Sequence, residues 1–250
     1  MNKVFAVEQL SKTFDPDTSP IHAVKDVSLE ICENEIIVLT GRSGSGKSTL
    51  LHLLAGLEKK TSGSISFKEN DYDKLKPSEL TGLRRTEMGF VYQFHYLLNE
   101  LSAQENVSLP LKLNNVNQDK ANAASIEILD SLGLGHRIDH KPSELSGGEK
   151  QKLALARALI IEPEMLFLDE PSASLDGKTT VEIENLLKSC TKNGTTIMMS
   201  THDIGQAKRL AKNILFLNKG ILESNQLTET FFLEPTSPNA QKFITGEIVE

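Results

Sequence analysis

The most constraining feature of this 250-residue sequence is a glycine-rich stretch between an apolar run and an amphipathic one. Residues 35–40 (EIIVLT) form a compact apolar run, which predicts a buried parallel strand. Residues 41–48 (GRSGSGKS) match the pattern G-x-x-x-x-G-K-[S/T], and residues 47–56 carry leucines at helical spacing. A strand, a glycine loop and a helix in this order predict a phosphate-binding loop within an α/β fold. The alternative is a glycine-rich turn that contains Lys-Ser by chance, and the flanking strand and helix argue against it.

Each residue type in this loop suits the chemistry of a phosphate chain. The glycines allow a tight turn that directs backbone N–H groups at phosphate oxygens. We expect Lys47 to bridge the β- and γ-phosphates and the Ser48 hydroxyl to hold Mg²⁺. The predicted nucleotide-binding residues of the loop are Gly41, Arg42, Ser43, Gly44, Ser45, Gly46, Lys47, Ser48 and Thr49.

A second apolar run, residues 165–169, ends at Asp169 and is followed by Glu170. In parallel sheets, ligands collect at the carboxyl ends of the strands, so both carboxylates are expected beside the phosphate loop. Asp169 would hold Mg²⁺ through water, and Glu170 would polarise the attacking water and accept its proton. An acidic strand end that caps a helix is the alternative, and the loop upstream favours the catalytic interpretation.

Residues 145–149 (LSGGE) place Ser146, Gly147 and Gly148 at the start of a predicted helix. A serine N-cap and a helix N-terminus together form an anion site. A second phosphate site in one chain is redundant unless it serves the nucleotide of another molecule. The motif therefore predicts a head-to-tail dimer with two ATP molecules at its interface, and an ordinary serine N-cap is the alternative.

Short apolar strands alternate with amphipathic helices along the chain, which predicts an α/β fold with a mostly parallel sheet and helices on both faces. Residues 94–157 differ, because they contain no convincing strand and carry two helical patterns; we expect a helical subdomain inserted in a single domain spanning residues 1–250. The other predicted strands are 4–10, 23–31, 165–169, 195–200 and 213–217. The other predicted helices are 119–132, 149–160, 179–189 and 204–211. Residues 114–120 are an expected loop, and residues 231–238 are expected to mark a turn and a short final helix.

Composition argues against several classes of partner and site. A net charge of -7 argues against nucleic acid as the main partner. Cys32 and Cys190 lie far apart without CxxC spacing, so we expect free thiols rather than a disulfide or a metal site. No stretch reaches the roughly 18 apolar residues that span a bilayer, and no secretory leader is visible. Any work at a membrane is therefore expected from its cytoplasmic side, through a partner.

Over nearly its full length, the chain resembles the ATP-binding subunits of ABC transporters. The resemblance implies a P-loop NTPase with a RecA-like core, an antiparallel β N-terminal part, and bound ATP and Mg²⁺. It also implies ATP hydrolysis coupled to transport through an integral membrane permease, at the cytoplasmic face of the inner membrane. The ATPase partner in the dimer would be a second copy or a related chain.

The resemblance adds further site residues to those that the motifs predict. It assigns Gln93 to the Q-loop, which touches Mg²⁺ and senses the membrane subunit. It matches Ser174, Leu175 and Asp176 to the D-loop at the dimer seam. His202 matches the switch histidine that contacts the γ-phosphate, and Phe14 falls where the family places an aromatic ring against adenine. The expected catalytic residues are Glu170, His202, Lys47 and Gln93, and the expected metal ligands are Ser48, Gln93 and Asp169.

Two positions depart from the usual family pattern. Position 149 is Glu where Gln is commonest, and position 14 is Phe where Tyr is usual. Ser146 and the glycines carry the phosphate contact, so we expect activity to survive the first change. A phenyl ring can still stack on a base, although a core phenylalanine at a strand end is the alternative for Phe14. A surface or helix-capping histidine is the alternative for His202 alone.

Resemblance to particular transporters divides along the chain. Residues 22–157 are most similar to the lipoprotein-releasing (Lol-type) and macrolide-export (MacB-like) ATPases, in the stretches 41–56, 89–98, 105–111 and 140–149. The last third resembles importers of oxyanions such as tungstate, in residues 201–210 and 231–232 and in the tail, residues 243–249. The Q-loop half faces the membrane subunit in this family, so lipoprotein release or export is preferred and oxyanion import is the alternative. Residues 94–98 (FHYLL) are expected in the docking surface, with a core-facing cluster as the alternative.

Overall fold

The structure is a computed structural model that describes residues 2–15, 18–173 and 175–247. The expectations for Ser174 and for the end of the tail, residues 248–249, lie outside the described residues. The strands of the described part are β1 (Lys3–Phe14), β2 (Ile21–Cys32), β3 (Ile36–Thr40), β4 (Ser62–Phe67), β5 (Asn70–Asp71), β6 (Met88–Val91), β7 (Met165–Asp169), β8 (Thr196–Ser200), β9 (Asn213–Asn218) and β10 (Ile221–Leu227). Its α-helices are α1 (Lys47–Leu54), α2 (Pro77–Glu87), α3 (Ala103–Leu113), α4 (Gln118–Ser131), α5 (Gly147–Leu159), α6 (Gly177–Lys192), α7 (Ile204–Leu210), α8 (Thr228–Leu233) and α9 (Pro238–Thr245).

The strands form two sheets. An antiparallel sheet has the order β2-β1-β4-β5, and a six-stranded sheet has the order β10-β9-β3-β8-β7-β6. In the larger sheet, β9, β3, β8, β7 and β6 run parallel, and β10 pairs antiparallel with β9. The predicted α/β class with an antiparallel N-terminal part is confirmed. The central strands β3, β7 and β8 are buried along their whole length, as their apolar runs require of a sheet covered on both faces.

Two apolar cores lie on opposite faces of the parallel sheet. Phe167 of β7 points to the core that it shares with Phe5 and Phe67 of the antiparallel sheet, with ring centroids 5.9 Å apart for Phe5 and Phe167. The neighbours of Phe167 on the same strand, Leu166 and Leu168, point to the other core. This alternation follows from the two-residue period of a strand. Side-chain packing on both faces therefore holds β7 in place and fixes the position of its carboxyl end.

The segment between β6 and β7 holds α3, α4 and α5 with an apolar core of their own. Residues 92–164, all of them described, contain no strand. Helix α3 is not among the predicted helices, and it contains Pro110 in its second half. A capping box between Ser102 and Glu105 starts this helix, and that S-x-x-E pattern was its available signal. The expected loop at 114–120 is shorter than predicted, because α4 already begins at Gln118.

Residues 231–238 are expected to mark a turn and a short final helix, and the structure adds a further helix, α8, before the turn. Phe231 belongs to α8 and is buried, with its ring centroid 6.3 Å from that of Phe216. Phe243 of the final helix α9 contacts Phe216 from 5.3 Å. The local sequence gives no signal for a helix at Phe231, because the ring that it contacts, Phe216, lies on β9 and is distant along the chain. The turn itself falls at residues 234–237, and the short final helix is confirmed.

Both cysteines are free thiols, as expected. Among the helices of the described residues, none has the length and apolar character required to cross a membrane.

Candidate functional site

The loop between β3 and α1 has the backbone geometry of an anion cradle. Gly41, Gly44 and Gly46 have φ angles of 143°, 76° and 104°, a region that other residues rarely adopt. A Cβ atom on Gly41 would lie 2.1 Å from the carbonyl oxygen of Leu217, and one on Gly46 would lie 2.1 Å from that of Ala23. Gly41 and Gly46 are thus required both because the backbones of β9 and β2 approach them closely and because their φ angles are positive.

Two polar side chains inside the loop fit a phosphate group. The Lys47 ammonium is buried and donates to the carbonyl oxygens of Gly41 and Arg42, at 2.9 and 3.0 Å. Burial lowers the pKa of Lys47, and the nearby carboxylates of Glu170 and Asp169 oppose this shift. The Ser45 hydroxyl is buried without a hydrogen-bond partner. An unpaired donor and a desolvated cation both gain from an anion in the loop.

The two predicted carboxylates follow β7, as expected. Asp169 is nearly buried, and its Oδ1 accepts a hydrogen bond from the Ser200 hydroxyl at 2.5 Å. Glu170 has a φ of 51°, and its backbone N–H donates to the hydroxyl and the carbonyl of Ser200, at 3.0 and 3.2 Å. These contacts hold a left-handed backbone conformation that costs a non-glycine residue about 1–3 kcal/mol, which is typical of functional sites.

His202 lies beside Glu170, with 2.9 Å between His202 Nδ1 and Glu170 Oε2. The Glu170 side chain is only 14 % exposed, whereas that of His202 is 71 % exposed. The histidine follows β8, and β8 pairs with β7 in register from Asp169 to Ser200. The imidazole therefore orients the carboxylate through one nitrogen and leaves the other available to a ligand.

One cavity of about 930 Å³ collects most of the predicted residues. The sequence-predicted residues in its lining are Ser43, Gly44, Gly46, Lys47, Ser48, Thr49, Gln93, Asp169, Glu170 and His202. Gly41, Arg42 and Ser45 belong to the same loop but lie outside the lining. Gln93 is exposed and follows β6, the neighbour of β7. The arrangement combines phosphate donors, a buried cation and a carboxylate pair in one volume.

Phe14 does not line this cavity. It is half-buried at the end of β1, opposite Ile21 of β2, and Lys12 Nζ lies 4.6 Å from its ring centroid. Its adenine contact therefore stays a prediction. The cavity instead includes five residues that the sequence analysis did not select: Ile21, His22, Ala23, Lys25 and Lys219. No local motif marks them, because only long-range pairing brings β2 and the β9–β10 turn to the loop.

Ser146, Gly147 and Gly148 line a different cavity, of about 400 Å³, together with Asp176. Within one chain, the structure does not bring them to the phosphate loop. Ser146 is the N-cap of α5, and its hydroxyl accepts from the backbone N–H of Glu149 at 3.3 Å. Asp176 is likewise the N-cap of α6, where its carboxylate accepts hydrogen bonds from Thr179 that lower the Asp176 pKa. Local capping is thus observed for both, and a role across a dimer interface stays a prediction.

Both carboxylate oxygens of Glu149, the unusual residue of this motif, have a partner. One oxygen accepts from the backbone N–H of Ser146 at 2.8 Å, and the other lies 3.0 Å from Nε of Arg137. The backbone hydrogen bond from Ser146, assisted by Arg137, lowers the pKa of Glu149 to about 2. The carboxylate stays ionised near the start of α5, where the helix dipole favours a negative charge.

The segment of residues 94–98 is largely outward-facing. Phe94, Tyr96 and Leu98 are exposed, and Leu97 packs inward on the cores. Arg157 of α5 donates to the carbonyl oxygens of His95 and Tyr96, both at 2.8 Å. The core-facing alternative therefore fails for the exposed aromatic rings, while the docking role stays a prediction.

Comparison with known proteins gives concordant matches. The family model described as ABC transporter matches residues 24–173. The lipoprotein-releasing system ATP-binding protein LolD of Pseudoalteromonas translucida (strain TAC 125) is 40 % identical over 220 residues, which cover 88 % of this chain and 94 % of LolD. LolD of Geobacter metallireducens is 40 % identical over 215 residues, which cover 86 % of this chain and 96 % of that protein.

Two solved structures share the fold. One is a dimeric structure of the ATP-binding cassette MJ0796 in a post-hydrolysis state bound to ADP and Pi, and the other is a dimeric structure of MJ0796 described as a bacterial ABC transporter cassette. Each has a TM-score of 0.84 and 35 % identity, covering 90 % of this chain and 98 % of the other. With a P-loop cavity, a carboxylate pair beside it and these matches over most of its length, the chain belongs to the ABC transporter family, as an ATP-binding cassette ATPase.

Proposed function

We propose that this chain is the ATP-hydrolysing subunit of a lipoprotein-releasing transporter. It works at the cytoplasmic face of the inner membrane with an integral membrane permease. The observation that carries the ATPase role is the cavity in which Lys47, Asp169, Glu170 and His202 meet. The cargo class is supported by 40 % identity to two LolD proteins over nearly their whole length.

Two copies act together in the proposed mechanism. The phosphate loop and residues 146–148 open on separate cavities, so one chain cannot bring both to a single nucleotide. In a head-to-tail dimer, each ATP lies between residues 41–49 of one copy and residues 146–148 of the other. The Ser146 hydroxyl oxygen accepts a hydrogen bond from the backbone N–H of Glu149, which leaves the Ser146 O–H to donate to a phosphate oxygen of the partner's nucleotide. The dimeric state of MJ0796 supports this arrangement.

Glu170 activates the attacking water. Ser200 fixes the Glu170 backbone and His202 fixes one carboxylate oxygen, so the other oxygen is free to accept the proton of a water beside the γ-phosphate. The exposed face of His202 contacts the γ-phosphate itself. Lys47 neutralises the β- and γ-phosphates from inside the loop.

The donor set also fits Mg²⁺. Ser48 and Gln93 present neutral oxygens, and Asp169 keeps Oδ2 available because Oδ1 is occupied by the Ser200 hydroxyl. Bound there, Mg²⁺ would neutralise charge on the phosphate oxygens. Oxygen ligands of this kind are those that the ion prefers.

Hydrolysis removes the γ-phosphate that both copies hold and so reopens the dimer. The reopening of the dimer is transmitted to the permease through a contact surface that includes Phe94 and Tyr96, both exposed. Ring contacts of 4.8 Å between Tyr92 and Tyr96 and of 4.3 Å between Phe90 and Tyr92 connect this segment to β6. Phe90 in turn lines an apolar cavity of about 330 Å³, which offers the partner a pocket that these ring contacts connect to Tyr96.

The first test replaces Glu170 with Gln. We expect turnover to fall by about 100-fold or more while ATP binding persists, and ATP to trap a stable dimer on size-exclusion chromatography. The matched control, Glu229→Gln, changes an exposed carboxylate away from the cavity and should leave turnover unaltered. Near-normal turnover of Glu170→Gln would contradict the proposed role of Glu170.

The second test replaces Ser146 with Arg. We expect ATP-dependent dimers to disappear while the isolated chain keeps its nucleotide affinity, because the phosphate loop is untouched. Loss of nucleotide binding by the monomer would show that Ser146 does not act across the interface.

The cargo class is tested by purifying the tagged chain from native membranes in mild detergent. A co-purifying membrane subunit with few spans and a large extracytoplasmic domain supports lipoprotein release. A compact permease of many spans, together with a solute-binding protein, would contradict lipoprotein release and indicate an importer.

A further inference from the structure

The nucleotide cavity continues past the phosphate loop on the side away from Glu170. The loop follows β3, which lies between β9 on one side and β8 and β7 on the other. Glu170 follows β7, and Lys219 follows β9, which runs parallel to β3. Both residues therefore leave the same edge of the sheet, on opposite sides of the loop. The cavity lining includes both of them.

Lys219 is held against the loop by backbone hydrogen bonds. The N–H of Gly220 donates to the Ser45 carbonyl at 2.9 Å, and the N–H of Lys25 donates to the Gly220 carbonyl at 2.8 Å. A Cβ atom on Gly220 would lie 3.0 Å from the carbonyl oxygen of Ala23, so the β9–β10 turn and β2 approach closely. Lys25 and Lys219 thus flank the loop on a fixed backbone.

Neither side chain has an anionic partner among residues 2–15, 18–173 and 175–247. Other lysines in that part of the chain are paired, such as Lys12 with Glu58 and Lys152 with Glu182. Lys25 and Lys219 are both exposed, both line the cavity, and belong to a chain whose net charge is -7. Two unpaired cations beside one phosphate loop create a local positive potential that attracts an anion.

We propose that Lys219, with Lys25 beside it, binds the α-phosphate of the nucleotide and acts as a second cationic contact distinct from Lys47. This inference rests on the proposed function, in which ATP occupies the cavity. The γ-phosphate belongs beside Glu170 and His202. Lys47 lies inside the phosphate loop, between those two residues on one side and β9 on the other. The phosphate chain then leads from Glu170 across Lys47 towards the lysines, and the α-phosphate is the group that reaches them.

An α-phosphate contact makes a specific prediction, because ATP and ADP share that group. Lys219→Ala and Lys25→Ala should each weaken ATP and ADP equally, by about three- to fivefold, and the double variant should weaken both by about tenfold. The KM for ATP should rise in the same proportion. Raising the salt concentration should weaken nucleotide binding to the unmodified chain more than binding to the double variant.

The measurement is a titration of the full-length chain with fluorescent ATP and ADP analogues in Mg²⁺ buffer at low and high salt. Lys120→Ala is the matched control, since it removes an exposed lysine from α4, away from the cavity. The three substituted positions, Lys25, Lys120 and Lys219, are all exposed. Thermal unfolding of each variant detects a folding defect separately. Lys219→Glu extends the series and should weaken both nucleotides further than Lys219→Ala.

The outcomes separate this inference from the proposed function. Equal loss of ATP and ADP affinity supports the α-phosphate contact. A loss confined to ATP would place the lysines on the γ-phosphate and overturn it, as would a change below about twofold in the double variant. Failure of the unmodified chain to bind or hydrolyse ATP would instead overturn the proposed function.

Discussion

Arg157 holds the exposed segment of residues 94–98 in a strained conformation, and its removal should release that segment. His95 and Tyr96 have φ angles of 60° and 44°, both in the left-handed region. Each such residue costs roughly 1–2 kcal/mol. The Arg157 guanidinium donates to both of their carbonyl oxygens at 2.8 Å, and burial lowers the Arg157 pKa.

The expected magnitude follows from these two contacts. A hydrogen bond that involves a charged group contributes about 1.5–3 kcal/mol, so two contribute about 3–6 kcal/mol at most. The Tyr96 carbonyl is near the surface and regains water when the segment opens, which removes part of that sum. We expect Arg157→Met to lower the local opening free energy by about 2–3 kcal/mol, a factor of roughly 30 to 150 in the opening equilibrium.

Hydrogen–deuterium exchange of peptides covering residues 92–98 measures this equilibrium. The N–H groups of His95 and Tyr96 are bonded within the segment, to the carbonyls of Tyr92 and Phe94, and should exchange faster in the variant. The N–H of Leu98 is bonded to the buried Asn106 side chain at 2.9 Å and should change far less.

Arg85→Met is the matched control, since Arg85 is exposed and makes one long contact of 3.4 Å with the Leu113 carbonyl. It should leave the segment unchanged, and Arg157→Lys should give an intermediate rate because an ammonium cannot fork to two carbonyls as a guanidinium does. A rise below about threefold at His95 and Tyr96, or an equal rise over the whole chain, would refute the reasoning.

Three further predictions concern neighbouring parts of the site. Burial of the ring is the largest cause that lowers the pKa of His95, and nearby cationic side chains add to it. The stability that the neutral His95 ring gives to the folded segment is therefore fully present above the ordinary pKa near 6.5 and is lost as the pH falls below that value. The hydrogen–deuterium exchange rate of residues 94–98, corrected for the pH dependence of the intrinsic exchange rate, should therefore rise from pH 7.5 to pH 5.5. An equal rise in a His95→Gln variant would contradict this. Glu149→Gln keeps the helix cap but loses the ion pair with Arg137, so we expect about 0.5–1 kcal/mol less stability and a Tm lower by roughly 1–4 °C. An unchanged Tm in thermal unfolding would count against the ion pair. Gly46→Ala places a Cβ atom 2.1 Å from a backbone carbonyl oxygen and should abolish nucleotide binding in the titration assay. A Cβ atom at Gly44 meets no atom within 4 Å, so Gly44→Ala should cost only about 1–2 kcal/mol of stability. Equal effects of the two changes would show that close backbone approach is not the reason for glycine at position 46.

Much of the fold was predictable because its signals are local. The apolar run before the phosphate loop and the run that ends at Asp169 were placed to within a residue of β3 and β7. The strands that the sequence analysis missed, such as β6 and β10, are short or only partly buried, and neighbouring strands stabilise them. Pairing partners far along the chain decide such strands, and periodicity does not report them.

The sequence by itself determined the phosphate loop, the carboxylates after β7 and the serine cap of α5, because each rests on residue type and spacing within about ten positions. Only the tertiary structure decided that Ser146 opens on a different cavity from Lys47, and that Lys219 stands beside the loop. The physical reason is that these relations depend on strand order. The β9–β10 turn meets the loop across more than 170 residues of sequence, through backbone hydrogen bonds that any residue type can make.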